Sequence, residues 1–250
     1  MQLLHLEINF HLIAFVFFAT LCSYNFHYLL GYFSGGRKVS IAALYNKYTA
    51  LFFLMAGGIG ILLLFSSAHI RFQNAVMAFL LTFLYSLPLL PAKQLAFARK
   101  AGFVKTLLLA FTWMFVTAYL PLSQANIAFT AAGLLLMVKR FLFMLMLCIL
   151  FDNRDVTVDK IRGLSSLATD LSPAAMQWLI FIVFSMLFVI NFLLGQHGIS
   201  YRQVAALQVA AFINVVIYFL SRKKQGYFFY YFVVDGMMVL MTLLTTVASI

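Results

Sequence analysis

Charged side chains are scarce in this sequence: they make up 9% of its 250 residues, and only six residues are acidic. Hydrophobic residues account for 65% of the chain. A water-soluble globular protein needs a polar surface, and this composition does not supply enough polar residues to cover one. The scarcity of charge therefore excludes an ordinary soluble domain and indicates a protein whose solvent is lipid.

Long polar segments are also missing. Instead, apolar stretches of about 18 residues or more recur along the whole chain. In hydrocarbon each stretch must satisfy its own backbone hydrogen bonds, which favours helices. We therefore predict an all-α fold, a polytopic transmembrane bundle of about eight helices, as a single domain over residues 1–250. The predicted spans are 10–31, 41–65, 72–90, 104–121, 126–150, 173–195, 202–220 and 228–249.

Cysteine is nearly absent, since the chain contains only Cys22 and Cys148. Both fall inside predicted spans, where a free cysteine behaves as a small apolar residue, so no disulfide is predicted. The start of the chain lacks the basic residues of a signal peptide and carries Glu7. The first hydrophobic run is therefore expected to be retained in the mature protein.

Basic residues outnumber acidic ones, 17 against 6, which in a soluble protein would suggest nucleic acid binding. Here they are scattered among the loops between apolar spans, so no nucleic acid partner is predicted. Most of them follow the first, third, fifth and seventh predicted spans. Cytoplasmic loops are the ones rich in Lys and Arg, so we expect these loops to be cytoplasmic, in a membrane of the bacterial inner type.

The densest group of charges is the motif FDNRDVTVDKIRG at residues 151–163, directly after the fifth span. Its acids are Asp152, Asp155 and Asp159, and a helix through the motif would place all three on one face. The three negative charges would repel one another on that face. A bound Mg²⁺ would coordinate the carboxylates and keep its other coordination positions free for phosphate oxygens. The spacing therefore predicts either a magnesium–diphosphate site or a solvated loop of mixed charge.

The motif resembles the second aspartate-rich motif of the UbiA-type superfamily of intramembrane prenyltransferases, which reads D-x-R-D-x-x-x-D-x-x-x-G. It also follows a long apolar span and begins a predicted cytoplasmic loop, 151–172, as in that family. Two looser similarities to the family are YSLPLLPAK at residues 85–93, followed by Lys105, and ATLCSYNFHYLLG at residues 19–31. The matching residues of the main motif are Asp152, Arg154, Asp155, Asp159 and Gly163.

The first aspartate-rich motif of the family, N-D-x-x-D-x-x-x-D, is where this sequence departs. With Asn25 aligned to the asparagine of the motif, the three aspartates are replaced by Phe26, Leu29 and Phe33. The family is also usually built from nine helices, one more than the number predicted here. The sequence is therefore similar to a divergent member from which the first helix is missing.

The resemblance implies Mg²⁺-dependent transfer of a prenyl group from an isoprenoid diphosphate to a lipophilic acceptor within the lipid bilayer. No protein partner is predicted. In such a site Asp152, Asp155 and Asp159 would hold Mg²⁺, and Asp155, Asp159 and Lys105 would be catalytic. The residues expected to bind substrate are Asn25, Tyr28, Arg154 and Lys160.

Two alternative functions remain open. The loss of the first motif would suit a catalytically inactive, UbiA-like protein that binds an isoprenoid. A small ion-coupled transporter would instead use Lys139, Arg140 and Asp235, which lie inside predicted spans, as an ion pathway. We predict that Asp235 pairs with one of these two basic residues.

Overall fold

The computed structural model of the protein describes residues 2–4, 6–34, 41–67, 69–86, 102–162, 165–223, 225–226 and 228–249. These residues are mostly helical, and no β-strand occurs among them. Seven of the described helices are long and apolar enough to cross a membrane. The chain is therefore an integral membrane protein with an all-α, polytopic fold, as the sequence predicts.

The described chain divides into two compact units. The first unit, Ile8–Lys100, contains α1 (Phe10–Ser34), α2 (Ile41–Leu64) and α3 (Phe72–Ser86). α3 has 15 residues. The rest of the predicted third span and the proline-containing part of segment 85–93 lie outside the described residues.

Glycines allow α1 and α2 to pack closely against each other. A Cβ atom added at Gly57 would lie 3.0 Å from the carbonyl oxygen of Phe18 and 3.0 Å from the backbone nitrogen of Cys22. A Cβ atom at Gly60 would overlap the ring of Phe18, whereas one at Gly58 would meet no atom within 4 Å. Two of these three glycines therefore serve helix packing, as small residues often do in membranes.

The second unit contains Met1–Glu7 and Ala101–Ile250. Its central helix is α5, which packs against α4, α7, α8 and the start of α9. Residues 142–150 of α5 are buried on every face of the helix. The helices of this unit are α4 (Gly102–Gln124), α5 (Ala131–Arg162), α6 (Leu167–Asp170), α7 (Pro173–Gln196), α8 (Tyr201–Ser221) and α9 (Phe229–Val247).

Two helices of this unit contain a wider, π-helical turn, a feature often found at functional sites. In α4 the turn is Phe115–Tyr119, and the N–H of Leu120 donates to the carbonyl oxygen of Phe115, five residues back. Pro121 follows, and its missing N–H leaves a gap in the regular hydrogen-bond ladder at this point. α9 begins with the π turn Phe229–Val234.

The acidic motif lies on α5, which continues to Arg162 instead of ending near residue 150. Within the predicted loop 151–172, residues 151–162 are therefore helical, and residues 167–170 form the short helix α6. Residues 151–162 contain no proline or glycine that would end a helix, which explains the continuation. Gly163, the last residue of the motif, lies outside the described residues.

Candidate functional site

Asp152 lies where α4, α5 and α6 meet. The hydroxyl of Thr106, on α4, donates a hydrogen bond of 2.6 Å to Asp152 Oδ2. The backbone N–H of Leu167, the first residue of α6, donates to the same carboxyl group, and the charges of Lys105 and Asp159 also act on it. Asp159 is buried, with 6% of its surface exposed. We call Asp152, Asp159, Lys105 and Thr106 the acidic site.

The start of α4 approaches the acidic site closely because its first residue is Gly102. A Cβ atom at Gly102 would overlap the carbonyl carbon of Ser165 and the backbone nitrogen of Ser166. Ser166 is fully buried, and its N–H donates a 2.7 Å hydrogen bond to the hydroxyl of Thr169 in α6. This close contact therefore positions α6, and with it the Leu167 N–H that bonds Asp152.

Replacing Gly102 by Ala is expected to destabilise the protein by about 1–3 kcal/mol, because the methyl group would force two backbone segments apart. For a chain of this length that corresponds to a fall in Tm of roughly 2–10 °C. The measurement is thermal unfolding of the purified full-length protein in a mild detergent.

The matched control for this substitution is Gly58→Ala, because a Cβ atom at Gly58 meets nothing within 4 Å. Alanine favours a helix over glycine by about 1 kcal/mol, so this variant should be as stable as the wild type or slightly more stable. Equal Tm values for the two variants would contradict the proposed close contact at Gly102.

Asp155 does not join Asp152, because it forms a salt bridge with the adjacent Arg154. Arg154 Nε lies 2.7 Å from Asp155 Oδ1, and Arg154 Nη2 lies 2.8 Å from Asp155 Oδ2. The guanidinium of Arg154 is also placed over three aromatic rings, those of Phe151 at 5.0 Å, Tyr230 at 5.6 Å and Tyr231 at 5.4 Å. Arg154 and Asp155 therefore interact with the start of α9, whereas Asp152 interacts with α4 and α6.

The predicted metal ligands are therefore divided between two neighbourhoods. Among the described residues, no group of three or more His, Cys, Asp or Glu side chains is arranged to hold a metal ion. Mg²⁺ in phosphate-binding sites, however, is often held by only one or two carboxylates together with phosphate oxygens. Asp152 and Asp159 are the two carboxylates that remain for such a smaller site, since the charges of Asp159 and Lys105 both act on Asp152.

The other predicted substrate-binding residues lie on α5 and α1. Lys160 is on α5 and is exposed. Asn25 and Tyr28 are on α1, in the unit of residues 8–100. The side-chain amide of Asn25 donates a 2.7 Å hydrogen bond to the carbonyl oxygen of Leu21 in its own helix, and Tyr28 is 40% exposed.

A second charged site, which we call the basic pocket, lies between α5, the end of α8 and the start of α9. Its volume is about 300 Å³. The sequence does not predict this pocket, because Arg222 and Lys223 are simply two of the basic residues that follow the seventh predicted span. Their position directly after an apolar span was the available signal, but it could not reveal that Arg154 lies beside them. The residues lining the pocket are Asn153, Arg154, Arg222, Lys223, Gln225 and Tyr230.

The structure does not show the expected pairing of Asp235 with Lys139 or Arg140. The described residues contain one salt bridge, that of Arg154 with Asp155, and the charge that acts on Asp235 is that of Arg154. Arg154 lies 15 positions beyond Lys139 on α5, or roughly 22 Å along a helix. Lys139 is buried, with 4% of its surface exposed.

Comparison of the chain with protein-family models found no match. Comparisons with curated proteins and with solved structures found no significant similarity. The functional assignment therefore depends on the residues of the acidic site and the basic pocket.

Proposed function

We propose that this protein is a divergent, UbiA-like prenyltransferase that binds an isoprenoid diphosphate at the acidic site and transfers its prenyl group to a lipophilic acceptor in the membrane. The spacing of Asp152, Arg154, Asp155 and Asp159 matches the second motif of that family. The observation that supports the proposal is the place of Asp152 on the long apolar helix α5, where Thr106 of α4 bonds its carboxylate and the charges of Lys105 and Asp159 act on it.

The residues of the acidic site would have separate roles. Asp152 and Asp159 would hold Mg²⁺, and a bound Mg²⁺ supplies positive charge that stabilises the departing diphosphate. The Lys105 ammonium would contact a phosphate oxygen directly, since lysine is a common phosphate ligand. Thr106 and the N–H of Leu167 fix the Asp152 carboxylate through hydrogen bonds, so that it need not reorganise when substrate binds.

In this reaction the bond between the prenyl C1 atom and the diphosphate oxygen breaks, and the electron pair leaves with the diphosphate. The acceptor forms a new bond to C1 and releases a proton. The Asp155 carboxylate is bonded to Arg154, so we assign it a supporting role. Asn25 and Tyr28 remain predicted substrate-binding residues from the resemblance alone.

The orientation that we propose places the acidic site at the cytoplasmic face of an inner membrane. α5 ends, α7 begins, α8 ends and α9 begins on one side of the bundle, because consecutive spanning helices alternate in direction. The basic residues Arg154, Arg222 and Lys223 lie at that side. Loops rich in Lys and Arg are retained in the cytoplasm, which is also where a soluble diphosphate product would be released.

One observation favours a second candidate, a UbiA-like protein that binds an isoprenoid diphosphate without transferring it. The three positions of the lost first motif carry no carboxylate, and the remaining three acids are divided between two neighbourhoods. A site with fewer cation ligands stabilises the leaving diphosphate less, so binding could persist where transfer does not.

The first test is isothermal titration of the purified protein with geranylgeranyl diphosphate in the presence and absence of Mg²⁺. We expect saturable binding that requires the cation, and no heat with Mg²⁺ present would rule out both candidates. A radiolabelled prenyl-transfer assay in membranes then separates them. Binding with label transferred to a lipid-soluble product supports the enzyme, whereas binding without transfer supports the inactive isoprenoid-binding protein.

A further inference from the structure

The basic pocket carries positive charge that the described acids do not balance. Three cationic side chains line it, those of Arg154, Arg222 and Lys223. Arg154 is neutralised by Asp155 in the one salt bridge of the described residues. The pocket therefore presents two further cations to any ligand that enters it.

Neutral and aromatic groups hold the arginines of the pocket in place. The side-chain amide of Gln177, on α7, faces the guanidinium of Arg222, and in the orientation with its oxygen toward Arg222 it would accept hydrogen bonds from both terminal nitrogens. Arg154 lies over the rings of Tyr230 and Tyr231, on the π turn of α9. Guanidinium groups fixed in this way lose little conformational freedom when they bind an anion, which favours affinity.

Exposed aromatic side chains place the pocket at the level of the lipid headgroups. Trp178, next to Gln177, is 66% exposed, Phe228 is 71% exposed, and Tyr231 is 60% exposed. Aromatic residues collect at the boundary between hydrocarbon and headgroups, and these three lie at the ends of helices that border the pocket. A ligand at this depth is reached more readily from the membrane than from bulk water.

We propose that the basic pocket binds the phosphate group of an anionic phospholipid, with the headgroup in the pocket and the acyl chains along α8 and α9. Basic pockets between helix ends on the cytoplasmic side recognise such headgroups. The pocket volume of about 300 Å³ leaves room for a phosphate with a glycerol headgroup. This site is separate from the acidic site, because its residues contact α7, α8 and α9 rather than α4 and α6.

The experiment measures the Tm of the full-length protein in a neutral maltoside detergent. Short-chain phosphatidylglycerol, short-chain phosphatidylcholine and inorganic phosphate are added separately at equal concentration and equal ionic strength. Phosphatidylglycerol at about 100 times its Kd is expected to raise Tm by roughly 5–10 °C. Phosphatidylcholine and inorganic phosphate should produce little or no shift.

The matched variants are Arg222→Gln and Arg202→Gln, which remove an exposed arginine from opposite ends of α8. Arg222→Gln should abolish most of the shift caused by phosphatidylglycerol, and Arg202→Gln should retain it. Lys223→Gln, at an exposed position, is the second pocket variant in case Arg222→Gln does not fold, and it should reduce the shift as well.

Three results would overturn the proposed lipid site. The first is the absence of any shift with phosphatidylglycerol in the wild type. The second is an equal shift with inorganic phosphate, which would identify a site for free phosphate instead of lipid. The third is a shift that both pocket variants retain in full, which would place the bound lipid elsewhere on the protein.

Discussion

Replacing Asp152 by Asn is expected to lower the affinity for geranylgeranyl diphosphate in the presence of Mg²⁺ by about 10- to 100-fold. Asn keeps the size of Asp and can still accept the hydrogen bond from Thr106, but it removes the negative charge that would bind the cation. Loss of a charge-assisted contact costs about 1.5–3 kcal/mol, which corresponds to that range of affinity. Isothermal titration of wild type and variant under identical conditions gives the ratio.

Two further carboxylates serve as controls for Asp152→Asn. Asp170→Asn changes an exposed acid at the end of α6 and should bind as tightly as the wild type. Asp155→Asn should weaken binding less than Asp152→Asn, because Arg154 already occupies the Asp155 carboxylate. If Asp155→Asn instead produced the larger loss, the ion would be held on the side of α9, and the assignment of the acidic site would be wrong.

Replacing Lys139 by Met is expected to stabilise the protein by about 1–4 kcal/mol, the range seen when buried ion pairs are replaced by apolar residues of similar volume, because a buried ammonium group is costly to desolvate. Lys139 is 4% exposed, follows eight residues of α5 and lies within the apolar span Ala131–Thr157. The salt bridge present among the described residues is at Arg154, not at Lys139. Thermal unfolding in detergent should show a rise in Tm.

The neighbouring substitution Val138→Met separates the effect of charge from that of side-chain shape. Val138 is 43% exposed on the surface of the second unit, so its replacement should change stability by no more than about 0.5 kcal/mol. A clear loss of stability in Lys139→Met would show that the lysine contributes favourably to the native protein.

The number and nature of the helices could be read largely from the sequence. The predicted span 173–195 corresponds to Pro173–Gln196, 202–220 to Tyr201–Ser221, and 228–249 to Phe229–Val247. These agree because an uninterrupted apolar run has one low-energy form in lipid, and the polar residues between runs mark its ends. The fifth span differs, because α5 runs over Ala131–Arg162 rather than 126–150. The part of the third span after Ser86 lies outside the described residues.

The arrangement of the acidic motif could be predicted only in part. The helix continues through Asp152, Asp155 and Asp159, as the prediction of a shared face requires, but the Asp155 carboxylate bonds Arg154. The spacing could not reveal which neighbour each carboxylate would contact. Thr106 is 46 positions from Asp152, and Tyr230 is 76 positions from Arg154, so both contacts depend on packing between distant helices.

The sequence by itself determined that this protein lies in a membrane, that its fold is helical and that a rare group of acids follows its fifth apolar run. Hydrophobicity and backbone hydrogen bonding fix these properties locally, without reference to neighbouring helices. Only the tertiary structure decided that the Asp152 carboxylate is hydrogen-bonded by Thr106 of α4. It also decided that Arg154 lines the basic pocket together with Arg222. Each of those contacts joins residues far apart in the chain, so the packing of helix ends decides which charges meet.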